Sequence, residues 1–113
     1  MKLGIPKEIL EGERRVAVIP KMVEQFRKSE QEVYIEKDAG KGSFFPDSEY
    51  EKAGALVMPD AKDLYAEAEV VLKIHPLAKL EVELMKTDST FIGFLFAASR
   101  LDVIQIMKEK GIA

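Results

Sequence analysis

Four cationic or proton-binding side chains are the candidates for chemistry in this sequence. Arg14 and Arg15 stand directly before the apolar run 16–19, Lys73 interrupts the apolar run 70–74, and His75 follows that run. A guanidinium binds a carboxylate or phosphate through two parallel hydrogen bonds, and an ammonium binds the same anions as a point charge. Side chains at the ends of strands project over the edge where open α/β sheets form their clefts, so the pattern favours an anion site there.

Each of these residues also has a purely structural interpretation. The two arginines could be a solvated pair in a loop, and His75 could be a hydrogen-bonded residue at the sheet edge. Burying a lysine in a strand is unfavourable unless its ammonium reaches water or a partner. Lys73 could therefore extend to solvent along its aliphatic stem or line a cleft, and the sequence leaves both open.

The composition excludes several classes of protein. The chain has 113 residues, 47% of them apolar, which is the size of a single domain spanning residues 1–113. Its net charge of −3 comes from interspersed charges, so no basic face for nucleic acid is expected. No cysteine and a single histidine leave no thiolate or zinc site, and no metal is expected. No apolar run matches a signal peptide or a membrane span, which predicts a cytoplasmic protein.

Strand and helix patterns alternate along the chain. Short apolar runs predict strands at residues 2–5, 32–36, 55–58, 70–74 and 90–96. Helical patterns lie at residues 21–29, 48–52, 62–68, 80–85 and 100–110, with Asp47 as the expected N-cap of the second. This alternation predicts a doubly wound parallel sheet with helices on both faces. The runs 70–74 and 90–96 are nearly all apolar, as is typical of central strands buried on both faces.

The glycines do not form a dinucleotide-binding fingerprint. That motif needs three glycines spaced G-x-G-x-x-G between a strand and a helix. Gly4 stands alone, and Gly40 and Gly42 supply one interval without a third glycine. The sequence therefore predicts no nucleotide-phosphate site within residues 1–113.

Several motifs follow one another in a characteristic order: Gly4-Ile5-Pro6-Lys7-Glu8, Glu13-Arg14-Arg15-Val16-Ala17, Ala39-Gly40-Lys41-Gly42-Ser43, Ala53-Gly54-Ala55 and Val71-Leu72-Lys73-Ile74. In this order they resemble the N-terminal domain shared by alanine dehydrogenase and the α subunit of proton-translocating NAD(P) transhydrogenase. The stretch 20–25 resembles the transhydrogenase subunit in particular. The resemblance covers essentially the whole chain and implies a flavodoxin-like (Rossmann-like) fold.

The resemblance also implies roles for particular residues. In alanine dehydrogenases an arginine matching Arg15 and a lysine after the fourth strand hold the substrate carboxylate. Lys73 matches the first lysine of a lysine-x-lysine pattern there, and His75 stands in place of the second. Arg15, Lys73 and His75 are thus the candidate substrate-binding residues. The family's histidine after the fifth strand falls on Phe96, which cannot exchange a proton, so no catalytic residue is assigned.

These departures favour the transhydrogenase branch, in which hydride passes directly between two bound nicotinamides. The resemblance implies an oxidoreductase acting on NAD(H) and NADP(H), with NAD bound by a dinucleotide-binding domain beyond residue 113 of a longer chain. Membrane-embedded and NADP-binding subunits and a homodimeric partner are implied too, so the protein would associate with the membrane through its partners. The alternatives are an alanine dehydrogenase-like domain and a non-catalytic interaction module with the same fold. The chain ends at 112–113 as if at the start of another strand, which predicts a fragment and speaks against a module that acts alone.

Overall fold

The structure, a computed structural model, describes residues 1–93 and 107–112. Its strands are β1 (Lys2–Ile5), β2 (Glu32–Glu36), β3 (Leu56–Met58), β4 (Val70–Lys73) and β5 (Thr90–Gly93). They form one parallel sheet in the order β3-β2-β1-β4-β5. The helices are α1 (Pro20–Lys28), α2 (Asp47–Ala53), α3 (Ala61–Glu67) and α4 (Lys79–Leu84). Residues 107–110 are also helical, and the rest of the predicted last helix lies outside the described residues.

The helices cover both faces of the sheet, as predicted. Leu3 and Ile5 point to the face covered by α1 and α2, where they join one buried apolar cluster. Gly4 points to the opposite face because side chains alternate along a strand. A Cβ atom on Gly4 would lie 2.5 Å from Cβ of Ala68, so the end of α3 rests directly on β1. The doubly wound architecture is therefore confirmed.

The two strands predicted to be central differ in their surroundings. β4 lies between β1 and β5, and all four of its residues are buried. β5 lies at the edge of the sheet in the described part of the chain, and Ile92 is 45% exposed. In the described part of the chain the predicted central position is therefore wrong for residues 90–93, which pair with β4 alone, and the predicted burial on both faces is wrong because Ile92 and Gly93 are exposed. Residues 94–96 of this predicted strand lie outside the described residues.

Two helix ends carry residues that favour such positions, whereas the predicted N-cap of α2 has a different role. Asp60 caps α3 by accepting a hydrogen bond from the Asp63 amide at 2.9 Å. Gly54 ends α2 with φ +106°, in the left-handed region that favours glycine. Asp47 is not the N-cap of α2 but its first residue, and its carboxylate instead accepts from the Asp38 amide at 2.9 Å. The aspartate thus fixes the loop before the helix rather than the helix end.

Candidate functional site

The candidate residues meet at the carboxyl edge of the sheet. β1 and β4 are parallel neighbours, with Gly4 opposite Val71, so both strands end at this edge. The loop after β1, residues 6–19, carries Arg15, and the loop after β4, residues 74–78, carries His75. We call these the β1–α1 loop and the β4–α4 loop. The two loops meet because the strands before them are parallel neighbours, as the sequence predicted, and therefore end at the same edge of the sheet.

Arg15 binds a carboxylate of its own loop. Its Nε atom donates to Oε1 of Glu13 at 2.8 Å, and its Nη2 atom donates to Oε2 at 2.7 Å. The Arg15 amide adds a hydrogen bond to Oε1 at 2.8 Å. This fork holds the pKa of Glu13 well below its usual range and raises the pKa of the Arg15 guanidinium. The Arg15 side chain is nevertheless 61% exposed, so it lies at the surface of the edge.

His75 binds the same carboxylate from the neighbouring loop. Its Nε2 atom contacts Oε2 of Glu13, and this hydrogen bond helps to lower the pKa of the glutamate. The histidine side chain is 20% exposed. The structure therefore brings Arg15 and His75 together on Glu13, a residue that sequence reasoning did not single out as a ligand of either.

Lys73 does not extend to solvent, but it is among the residues that line a cleft of about 390 Å³, together with His75 and Glu81. Its side chain is only 2% exposed, and its Nζ atom lies 3.1 Å from Oε1 of Glu8 and 3.3 Å from Oε2 of Glu81. The ammonium is thus neutralised inside the protein by one glutamate from the β1–α1 loop and one from α4. A buried lysine is tolerated here because two buried carboxylates pair with it.

Both carboxylate oxygens of Glu81 also accept hydrogen bonds. Oε2 of Glu81 accepts a hydrogen bond from the Tyr65 hydroxyl at 2.8 Å, and Oε1 accepts from the Ala78 amide at 2.8 Å. Burial, followed by the adjacent Glu81 charge, raises the pKa of Tyr65 far above its usual value. The buried charge cluster therefore joins α3, α4 and both loops beneath the exposed part of the site.

Sequence reasoning missed Glu8, Glu81 and Tyr65. One signal was present, since a lysine in an apolar strand needs a buried acid. Glu81 accepts from the backbone amide of the N-cap residue Ala78, which is only half of a capping box because alanine has no side-chain oxygen to accept in return. The need of Lys73 for an acid does not select Glu8 from the other acids of its loop, because Glu8 reaches Lys73 across a separation of 65 residues.

A cleft of about 230 Å³ lies beside Arg15, between the β1–α1 loop and the loop after β2. Gly42 makes the second wall possible, since a Cβ atom there would lie 2.7 Å from the Arg14 carbonyl oxygen. The Ser43 hydroxyl donates to that oxygen at 2.7 Å. The glycine-rich stretch thus serves contact between loops rather than a phosphate cradle. The charged residues that line the cleft are Lys7, Glu8, Glu13, Arg14, Arg15, Asp38 and Lys41.

Within residues 1–93 and 107–112, no cluster of histidine, aspartate or glutamate side chains has the arrangement of a metal site. No helix in this part of the chain is long and apolar enough to cross a membrane.

Known proteins with similar sequences include a transhydrogenase subunit and alanine dehydrogenases. The NAD(P) transhydrogenase subunit alpha of Cereibacter sphaeroides is 37% identical over 111 residues, which cover 98% of this chain and 21% of that protein. An alanine dehydrogenase of Methanococcus maripaludis is 38% identical over 112 residues, covering 99% of this chain and 30% of the relative. Sequence identity therefore does not separate the two.

Solved structures of the same two kinds of protein also resemble this chain. An L-alanine dehydrogenase superposes with a TM-score of 0.92 at 34% identity, over 99% of this chain and 31% of that one. A transhydrogenase from Sinorhizobium meliloti also gives 0.92, at 31% identity, over 99% and 33% of the two chains. The chain thus spans a third or less of the relatives it matches. The family model described as "Alanine dehydrogenase/PNT, N-terminal domain" matches residues 4–113, and the chain belongs to this oxidoreductase family.

Proposed function

We propose that residues 1–113 form the N-terminal domain of an NAD(P) transhydrogenase α subunit. In this role the domain contributes one wall of a cleft whose other wall is a dinucleotide-binding domain of the same, longer chain. The observation that carries the proposal is the pairing of the candidate substrate cations with carboxylates of the chain itself. Arg15 is bound by Glu13, and Lys73 is buried between Glu8 and Glu81.

This pairing is unfavourable for an amino-acid substrate. A substrate carboxylate would have to displace Glu13 from a bidentate, charge-assisted fork, and at Lys73 it would have to compete with Glu8 and Glu81 for the ammonium. His75 stands where the resemblance places a second lysine, and its ring also faces Glu13. Phe96 has no proton to exchange. Hydride transfer between two nicotinamides requires none of these groups to bind a small acid.

The alternative is an alanine dehydrogenase-like oxidoreductase. It is favoured by the retained Arg15 and by the alanine dehydrogenases among the relatives, one of which is 38% identical to this chain against 37% for the transhydrogenase subunit. An NAD-dependent reaction is common to both candidates. The two differ in the second substrate, so the test is to offer a purified full-length parent L-alanine with NAD and, separately, NADH with an oxidised NADP analogue.

The proposed role includes partners. The dinucleotide-binding domain would face the carboxyl edge, and the complete enzyme would contain NADP-binding and membrane-embedded subunits. We expect the parent to be a homodimer on the cytoplasmic side of the membrane. The described domain would then contribute no membrane-spanning segment of its own, in keeping with its short helices.

We expect residues 1–113 alone to bind NADH with a dissociation constant of about 1 mM or weaker. The glycine fingerprint that cradles a dinucleotide diphosphate is absent, and the glycine-rich stretch 40–43 is used for contact between loops. Isothermal titration calorimetry of the chain with NADH measures this directly. Micromolar affinity would place the nucleotide site within this domain and contradict the prediction.

Replacing Arg15 should weaken activity without unfolding the domain. The guanidinium is exposed and its ion pair with Glu13 lies at the surface, so Arg15→Ala should leave the domain folded and its free energy of unfolding little changed. Hydride transfer by the full-length parent should fall about tenfold, the equivalent of roughly 1.4 kcal/mol of lost positioning. Lys28→Ala, an exposed cation at the end of α1, is the matched control and should change neither quantity. Normal hydride transfer by Arg15→Ala would remove Arg15 from the site.

A further inference from the structure

The carboxylate of Glu8 holds the β4–α4 loop by its backbone. Oε2 accepts a hydrogen bond from the Ile74 amide at 2.9 Å, and Oε1 accepts from the His75 amide at 3.2 Å and from Nζ of Lys73 at 3.1 Å. The Glu8 side chain is 2% exposed. A buried carboxylate that accepts several hydrogen bonds is rigidly placed, because losing any of them leaves a buried donor unpaired.

His75 is thereby held at two points by the β1–α1 loop. Glu8 binds its backbone amide, and Glu13 binds its imidazole. The segment between these two glutamates projects outward, with Ile9 62% and Leu10 56% exposed. Such a segment has little packing of its own to fix where Glu13 and Arg15 lie. The position of the Glu13 carboxylate therefore depends on the anchors at its two ends.

We propose that Glu8 is the positioning residue of the candidate site. By fixing the backbone of His75, it sets the imidazole against Glu13, and Glu13 in turn orients the guanidinium of Arg15. Glu8 acts through these residues and is itself buried beneath them. The proposal rests on the proposed function only in the expectation that Arg15 faces the cleft used for hydride transfer.

A purely stabilising role for Glu8 makes a different prediction. Glu8→Gln leaves Lys73 paired with Glu81, so the buried ammonium keeps one carboxylate and the domain should still fold. The amide of glutamine offers one acceptor oxygen where the carboxylate offered two, and its NH₂ group faces donors. If Glu8 only stabilises the domain, replacing it would lower the free energy of unfolding and leave His75 and Arg15 in place. If Glu8 positions these residues, replacing it would displace both.

Nuclear magnetic resonance of the 113-residue chain separates these cases. His75 is the single histidine of the sequence, so its ring gives one unambiguous set of signals. The Nε–H of Arg15 reports the fork with Glu13. In Glu8→Gln we expect the His75 ring and Arg15 Nε–H signals to move, and amide exchange at Ile74 and His75 to accelerate about tenfold. Glu11→Gln, an exposed acid in the same loop, should leave all these signals unchanged.

A second variant keeps the test decisive if Glu8→Gln does not fold. Glu8→Asp retains the charge that neutralises Lys73 and withdraws the carboxylate by one methylene, so the same signals should move in a folded protein. Unchanged His75 ring and Arg15 Nε–H signals in a folded Glu8 variant would overturn the positioning role.

Activity of the full-length parent then distinguishes the two proposals. We expect Glu8→Gln to lower kcat for hydride transfer about tenfold while KM for NADH changes less than about twofold, as for a residue acting on the reacting geometry. Moved signals with unchanged hydride transfer would confirm that Glu8 positions His75 and Arg15. That result would overturn the placement of Arg15 in the cleft used for hydride transfer, whereas a lack of hydride transfer by the unaltered parent would overturn the proposed function itself.

Discussion

The full-length parent is expected to oxidise L-alanine with NAD at least about 100-fold more slowly than an alanine dehydrogenase of this family assayed beside it, the smallest loss usual when a general acid–base group is missing. Phe96 stands where the resemblance places an imidazole, and Arg15 is already bound by Glu13. With its partner subunit present, the same protein should transfer hydride from NADH to an oxidised NADP analogue. Both reactions are followed by absorbance of the reduced nucleotides.

The comparison is controlled by running each substrate pair on each enzyme. The alanine dehydrogenase should produce NADH from alanine and should not reduce the NADP analogue. Rapid NADH formation from alanine by the parent would reverse the assignment and show that Phe96 is tolerated by amino-acid chemistry. Failure of both reactions would favour the non-catalytic interaction module considered from the sequence.

The edge on which the site lies could be predicted because it follows from topology alone. Alternating strands and helices imply parallel strands, and parallel strands place Arg15 and His75 at the same edge whatever the details of packing. The pairing of these two residues on Glu13 could not be predicted in the same way. It depends on how the β1–α1 loop folds back, and that loop carries several acids with equivalent local surroundings in sequence.

The partners of the Lys73 ammonium could not be predicted from the local sequence. A lysine in a buried strand has to reach water or an acid, and the local pattern of residues does not distinguish the two outcomes. In the structure the ammonium pairs with Glu8 from a loop and with Glu81 from α4. Tyr65 of α3 in turn donates a hydrogen bond to Glu81. β5 illustrates the same limit, because an apolar run does not show whether the faces of the strand will be covered, and in the described part of the chain Ile92 of β5 is 45% exposed.

Replacing Lys73 by methionine should destabilise the domain by about 3–5 kcal/mol, the usual loss when one partner of a buried ion pair is removed. Methionine fills a similar volume, so the effect would arise from charge and not from a cavity. Glu8 and Glu81 would remain buried with no cation between them, although both approach the same point within 3.3 Å. The loss is a large part of the roughly 5–15 kcal/mol that stabilises a typical domain.

Urea unfolding of the chain, followed by circular dichroism, measures this loss against two controls. Lys52→Met replaces an exposed lysine of α2 and should change the free energy of unfolding by about 0.5 kcal/mol or less. Lys73→Met combined with Glu8→Gln and Glu81→Gln removes all three charges together, and it should recover much of the stability because no buried carboxylate is left unpaired. A loss below about 1 kcal/mol for Lys73→Met alone, within the range of an exposed ion pair, would mean that the ammonium is not buried between these glutamates in solution. The Glu8 carboxylate that holds the β4–α4 loop would then not be part of a buried ion pair with Lys73.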